Sequence, residues 1–144
     1  MTDQDVWAFF KSGKGKKKRL EELCLQLEQL EESESYIKAI DYEKPSVSGG
    51  TISDLSDTVM RGEAVKARVK KEIAEMQVEI YDWQGKAYAM IRFCKNDLQA
   101  GVIAAKFIRE KPWKEVQQEY CYSRRRLYDI CREAMSQIAS KYKE

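Results

Sequence analysis

The chain has 144 residues, 43% of them hydrophobic and 35% charged, enough for one domain or two small ones. Only two prolines and seven glycines occur in that length, which points to an all-α fold with long exposed helices. No histidine is present and none of the four cysteines forms a Cys-x-x-Cys pair, so neither a zinc site nor any other cofactor is expected, and an enzyme is not expected either.

The formal net charge of +2 hides a strong asymmetry. Residues 11–19 carry six basic and no acidic groups, residues 20–43 carry one basic and eight acidic, and residues 98–144 carry ten basic and six acidic. A basic C-terminal part calls for a polyanionic partner. No long apolar run or leader pattern is seen, so an intracellular, reducing location and no membrane partner are expected. Three of the four cysteines fall on apolar helical stripes and are expected as buried, reduced thiols.

In chain order, Met1–Phe10 contains Val6, Trp7, Phe9 and Phe10, a small aromatic cluster that suits either docking on a later helix or a flexible terminus. Lys11–Arg19 reads as a solvated basic linker, because its glycines and charge argue against a packed helix. Lys14, Lys16, Lys17, Lys18 and Arg19 are candidates for a second nucleic-acid contact. Leu20–Ile40 reads as a helix, with Leu20, Leu23, Leu27, Leu30 and Ile37 on one seam that Glu34 interrupts. Asp41–Ser53 reads as the loop, with Thr51 and Ser53 available as caps.

Asp54–Cys94 carries a heptad-like seam from Leu55 through Val69, Ile80, Trp83 and Met90 to Cys94. Gly62 and Lys66 are flaws on it, and a kink near Gly62 is expected. The first helix is too short to cover this seam, so a homo-oligomer is expected. Asn96–Lys111 restarts the helical pattern, with Asn96 and Gln99 as its cap. Pro112 suits a first helical turn, and Trp113, Val116 and Tyr120 recur at helical spacing. Ser123 has the chemistry of an N-cap, and Leu127, Ile130, Ala134 and Ile138 form a last apolar stripe. Arg124, Arg125 and Arg126 fill the first turn after that cap, where positive charge opposes the helix dipole by roughly 0.3–1 kcal/mol per group. Broken local rules of this kind mark functional sites, and Arg binds phosphates and guanine edges in bidentate fashion.

Residues 105–116 (Ala-Lys-Phe-Ile-Arg-Glu-Lys-Pro-Trp-Lys-Glu-Val) followed by residues 120–128 (Tyr-Cys-Tyr-Ser-Arg-Arg-Arg-Leu-Tyr) resemble region 4 of bacterial sigma factors. They also resemble the helix-turn-helix of phage late-gene transcription regulators of the ArpU and RinA type, whose Asp-Tyr-rich loop is similar to Ile40-Asp41-Tyr42. The resemblance implies a basic N-terminal arm (1–19), a long helical hairpin of coiled-coil character (20–95) and a C-terminal three-helix helix-turn-helix module (96–144). It implies double-stranded DNA as partner, with RNA polymerase as a second, in the cytoplasm of a bacterial host. Ser123 would cap the recognition helix, Arg124, Arg125 and Tyr128 would face the major groove, and Lys114, Arg126 and Arg132 would approach phosphates. Val116, Leu127 and Ile130 would hold the module together. Cys121 stands where the family's turn has Gly, at a cost of roughly 1 kcal/mol for a left-handed backbone, and Gln117 stands where a small residue is usual. The competing readings are a terminase small subunit that packages phage DNA as an oligomer and a coiled-coil adaptor that binds only protein.

Overall fold

The computed structural model describes residues 1–43 and 50–143, with the side chains of residues 38, 40–43 and 50–55 left aside. The chain is all-α. Its described residues form five α-helices, α1 (Asp3–Glu43), α2 (Gly50–Ile91), α3 (Asp97–Ile103), α4 (Trp113–Tyr120) and α5 (Arg124–Lys141), with a π-helical segment over Ala104–Ile108. These divide into two compact units, one of residues 1–17 with 79–144 and the other of residues 18–78. No described helix is long and apolar enough to cross a membrane.

The first difference from expectation is at the N-terminus. Residues 11–19, expected as a linker, are part of α1, which runs unbroken from Asp3. Its start is fixed by a reciprocal cap. The Thr2 hydroxyl accepts from the Asp5 N–H at 3.2 Å, and the Asp5 carboxylate accepts from the Thr2 N–H at 3.0 Å. Thr2, through its backbone N–H first and its side chain second, holds the Asp5 carboxyl below its ordinary value. The helix then continues through Gly13 because tertiary packing outweighs propensity. The Gly13 Cα lies so close to the Trp83 ring that an added Cβ would stand 2.3 Å from it. Glycine here is a contact surface rather than a breaker.

The aromatic residues of the same segment are docked. Val6 and Phe10 are fully buried, each burial contributing roughly 1.5–3 kcal/mol. The Trp83 indole N–H donates to the Phe9 carbonyl at 2.9 Å, and the two rings stack at 5.8 Å. With Ala87 and Met90 of α2, these residues join one core with Val102, Ile103, Val116, Leu127, Ile130, Ala134 and Ile138. The apolar end of α2 is thus covered within the chain. Both α3 and α4 pack on α5.

The Asn96 cap forms as expected, accepting from the Gln99 N–H at 2.9 Å, while the Gln99 side chain reaches back to the Lys95 N–H at 3.0 Å. The expected regular helix to Lys111 does not continue. Arg109 N–H bonds to the Ala104 carbonyl, five residues back, and Lys111 N–H to the Ala105 carbonyl, six back. That wider turn ends on Glu110 in the left-handed region at φ 56°. Pro112 lies one place earlier than expected, at the N-cap of α4.

In the other unit, Leu23 and Val69 are buried. The two polar flaws on the seams, Glu34 and Lys66, form an ion pair with each other, with side-chain exposures of only 14% and 13%. The bond to Glu34 raises the Lys66 pKa. Such a pair fixes register, since a shift of either helix would strand a half-buried charge. Glu34→Leu and Lys66→Leu should therefore each melt lower than the double variant by circular dichroism. A double variant that melts below both singles would remove the register role. Helix α2 passes through Gly62 without a break. The loop expected over 41–53 is shorter, because α1 extends to Glu43 and α2 starts at Gly50. Residues 44–49 lie outside the described residues.

The thiols also differ from expectation. Only Cys131 is buried; Cys94 is half-buried, while Cys24 and Cys121 are exposed. Cys24 adjoins the buried Leu23, but burial stops at Leu23. Cys121 sits in the turn before α5 rather than on a packed stripe.

Candidate nucleic-acid interface

The α4–α5 turn is built by local chemistry. Cys121 adopts the left-handed conformation at φ 58°, ψ 34°, and its N–H donates to the Gln117 carbonyl at 2.9 Å. The strain expected for a non-glycine residue is therefore present. Ser123 follows in extended backbone, and its hydroxyl accepts from the Arg126 N–H at 3.2 Å. Helix α5 thus begins at Arg124. Leu127, Ile130, Cys131, Ala134, Met135 and Ile138 anchor one side of it in the core.

The opposite side carries the charge. Arg124, Arg125, Arg126, Tyr128 and Arg132 are exposed, as is Lys114 on α4. Among the described residues, no carboxylate pairs with any of these arginines. The Arg124 guanidinium lies 5.9 Å from the Trp113 ring, and the Lys106 ammonium lies 4.9 Å from the same ring. Tyr128 keeps 46% of its surface exposed but stacks on Trp7 at 5.7 Å, with Arg132 over its ring at 5.4 Å. The N-terminal part of α1 therefore lies directly against the exposed side of α5.

The second basic stretch is divided by its contacts. Lys16 pairs with Glu79 at 2.6 Å. Lys17 donates to the Ile108 carbonyl at 2.5 Å and lies over Trp83. Arg19 is within 3.9 Å of Glu22 and 3.8 Å of Glu72. Lys18 is exposed on the outside of α1. Lys14 is exposed too, and it lines a cleft of about 340 Å³ with Phe10, Lys11, Lys106, Phe107 and Glu110. Burial first, then the charges of Lys14 and Arg124, hold the Lys106 pKa below its ordinary value.

Sequence reasoning missed Lys11 and Lys106. Lys11 stands one helical turn after Trp7, with its ammonium 5.3 Å from that ring, a spacing visible in the sequence. Lys106 had no comparable signal, because its position depends on the π-helical turn. No group of three or more His, Cys, Asp or Glu side chains among the described residues is arranged to hold a metal ion. A surface of guanidinium and ammonium groups without carboxylate partners among the described residues, interleaved with aromatic rings, is suited to binding a polyanion. Comparison with protein-family models, with curated proteins and with solved structures finds no match to this chain.

Proposed function

We propose that the protein is a phage or prophage DNA-binding transcription regulator. In this reading residues 20–95 are a helical hairpin, and residues 96–144 are a three-helix module whose α4–α5 pair acts as a sigma region-4-like helix-turn-helix. The observation that carries the reading is the Ser123-capped start of α5, where three exposed arginines, without carboxylate partners among the described residues, stand on a helix whose other side is locked in the core. A helix so anchored enters a major groove as a rigid body. Arg124 and Arg125 read base edges, while Arg126, Arg132 and Lys114 hold phosphates. Tyr128, stacked on Trp7, contributes its exposed edge. Leu25, Met60 and Val65 are exposed apolar residues on the hairpin and suit a second copy of the chain or RNA polymerase.

The test is selection of bound duplexes from a random pool, followed by titration of Arg125→Ala. The variant should lose about 10- to 100-fold on the enriched site and much less on random DNA, as expected for one bidentate base contact of roughly 1–3 kcal/mol. Equal loss on both would make Arg125 a phosphate contact. No binding by the wild type at low salt would leave a protein-binding coiled coil as the better reading. A ring of many subunits by native mass would favour a terminase small subunit.

A further inference from the structure

The cleft between the start of α1 and the π-helical turn is not explained by a helix-turn-helix. Its lysines come from two distant stretches: Lys11 and Lys14 from α1, and Lys106 from the π segment. The neighbouring Lys16 and Lys17 are engaged internally, with Glu79 and the Ile108 carbonyl. Lys11 and Lys14 have no carboxylate within ion-pair distance among the described residues. Lys106 spends one donor on the Lys111 carbonyl, at 3.3 Å, and has no carboxylate that close either. Like charges gathered around a partly buried ammonium are unfavourable unless an anion joins them. Burial is the main cause of the lowered Lys106 pKa, and the charges of Lys14 and Arg124 add to it.

One negative group lines the same cleft. Glu110 is held there by its left-handed backbone, and its Oε1 is buried with no hydrogen-bond partner among the described residues. It offsets part of the lysine charge without forming an ion pair with any of them. The cleft therefore has the makings of a phosphate site that a carboxylate keeps weak. Trp113 connects it to α5, because Lys106 and Arg124 lie over the same indole.

We infer that this cleft holds a backbone phosphate of the DNA, next to the stretch of strand engaged by Arg124, so that α1 and α5 grip the duplex together. The inference rests on the DNA-binding reading above. It makes Lys11, Lys14 and Lys106 affinity residues that read no sequence.

The experiment measures the affinity of the full chain for the enriched duplex and for a random duplex across about 50–200 mM salt. Lys11→Gln/Lys14→Gln should weaken both duplexes alike and reduce the steepness of the salt dependence by about one to two ions. Lys14→Gln alone, which touches no aromatic partner, should give about half that reduction. Glu110→Gln should act in the opposite direction, tightening both duplexes about threefold at low salt. The inference is overturned by an unchanged salt dependence in both lysine variants, with helicity and melting as in the wild type. It is equally overturned if Glu110→Gln weakens binding, which would make that carboxylate an acceptor for a ligand donor. If inorganic phosphate raises the wild-type melting temperature while the lysine variants bind DNA normally, the cleft belongs to a small phosphorylated ligand instead. In each of these cases a sequence preference that Arg125→Ala abolishes would leave the DNA reading standing. Wild-type protein that binds no duplex would remove both.

Discussion

Gly13→Ala should destabilise the protein by roughly 1–2 kcal/mol, whereas Gly15→Ala, two residues on in the same helix, should stabilise it by up to about 1 kcal/mol. Both substitutions gain helix propensity, about 0.8–1 kcal/mol for replacing a helical glycine by alanine. They differ in what the new methyl group meets. At Gly15 nothing lies within 4 Å. At Gly13 the Cβ would be 2.3 Å from two atoms of the Trp83 ring and 2.8 Å from a third. That ring has little freedom to yield, since its N–H is bonded to Phe9, its face stacks on Phe9 and only 4% of the residue is exposed. Overpacking of this kind costs roughly 1–3 kcal/mol, which exceeds the propensity gain. Urea unfolding of the two variants beside the wild type provides the check. Equal stabilisation by both would mean that α1 does not approach Trp83 closely, and the docking of the N-terminal segment would have to be abandoned.

The second large effect is alkaline. Burial pushes the Cys131 thiol up to about 12 and the Cys94 thiol to about 11, from an ordinary value of 9.0. The folded state holds its thiol protons to higher pH than the unfolded state does. Stability from this source is therefore complete below about pH 9 and is lost as pH rises towards the folded values. For Cys131 the loss should reach roughly 2 kcal/mol by about pH 10.5. The useful quantity is a difference between variant and wild type. Cys131→Ala will be less stable at neutral pH because it leaves a small cavity. Its stability should nonetheless fall less steeply than that of the wild type between about pH 8 and 10.5. Parallel curves would show that Cys131 ionises equally well in the folded protein, contrary to its burial.

The all-α fold could be read from composition and periodicity because most of its helical stretches announce themselves locally. Ser123 and Asn96 were legible as caps for the same reason: the capping side chain and the N–H it accepts from are three residues apart. The Thr2–Asp5 cap follows the same pattern and was equally available, but the glycines and lysines that follow it drew attention to a linker. That misreading has a physical cause. Whether Gly13 breaks a helix or seats one depends on Trp83, seventy positions away in the chain, and no local pattern carries that information. Glu34 and Lys66 each looked like a defect for the same reason, since their meeting depends on the register of two helices. The π-helical turn left no mark in the residue pattern, because it is defined by which carbonyl each N–H chooses. Of the candidate interface, the α5 arginines could be seen from sequence. The cleft could not, as it needs that turn and the docked start of α1 together.

The division of the chain has a consequence for the order in which the molecule can form. The unit that contains α3, α4 and α5 also contains residues 1–17, while residues 18–78 make up the other unit. Val6 and Phe10 are made well before their core partners Leu127, Met135 and Ile138. During synthesis the N-terminal segment must stay undocked until α5 has left the ribosome, and closing so long an intervening stretch is entropically slow. In the other unit the paired Glu34 and Lys66 are much nearer to each other in the chain. The basic, aromatic start of α1 is thus the last piece fastened in place, and a nascent or truncated chain that lacks α5 would present it bare.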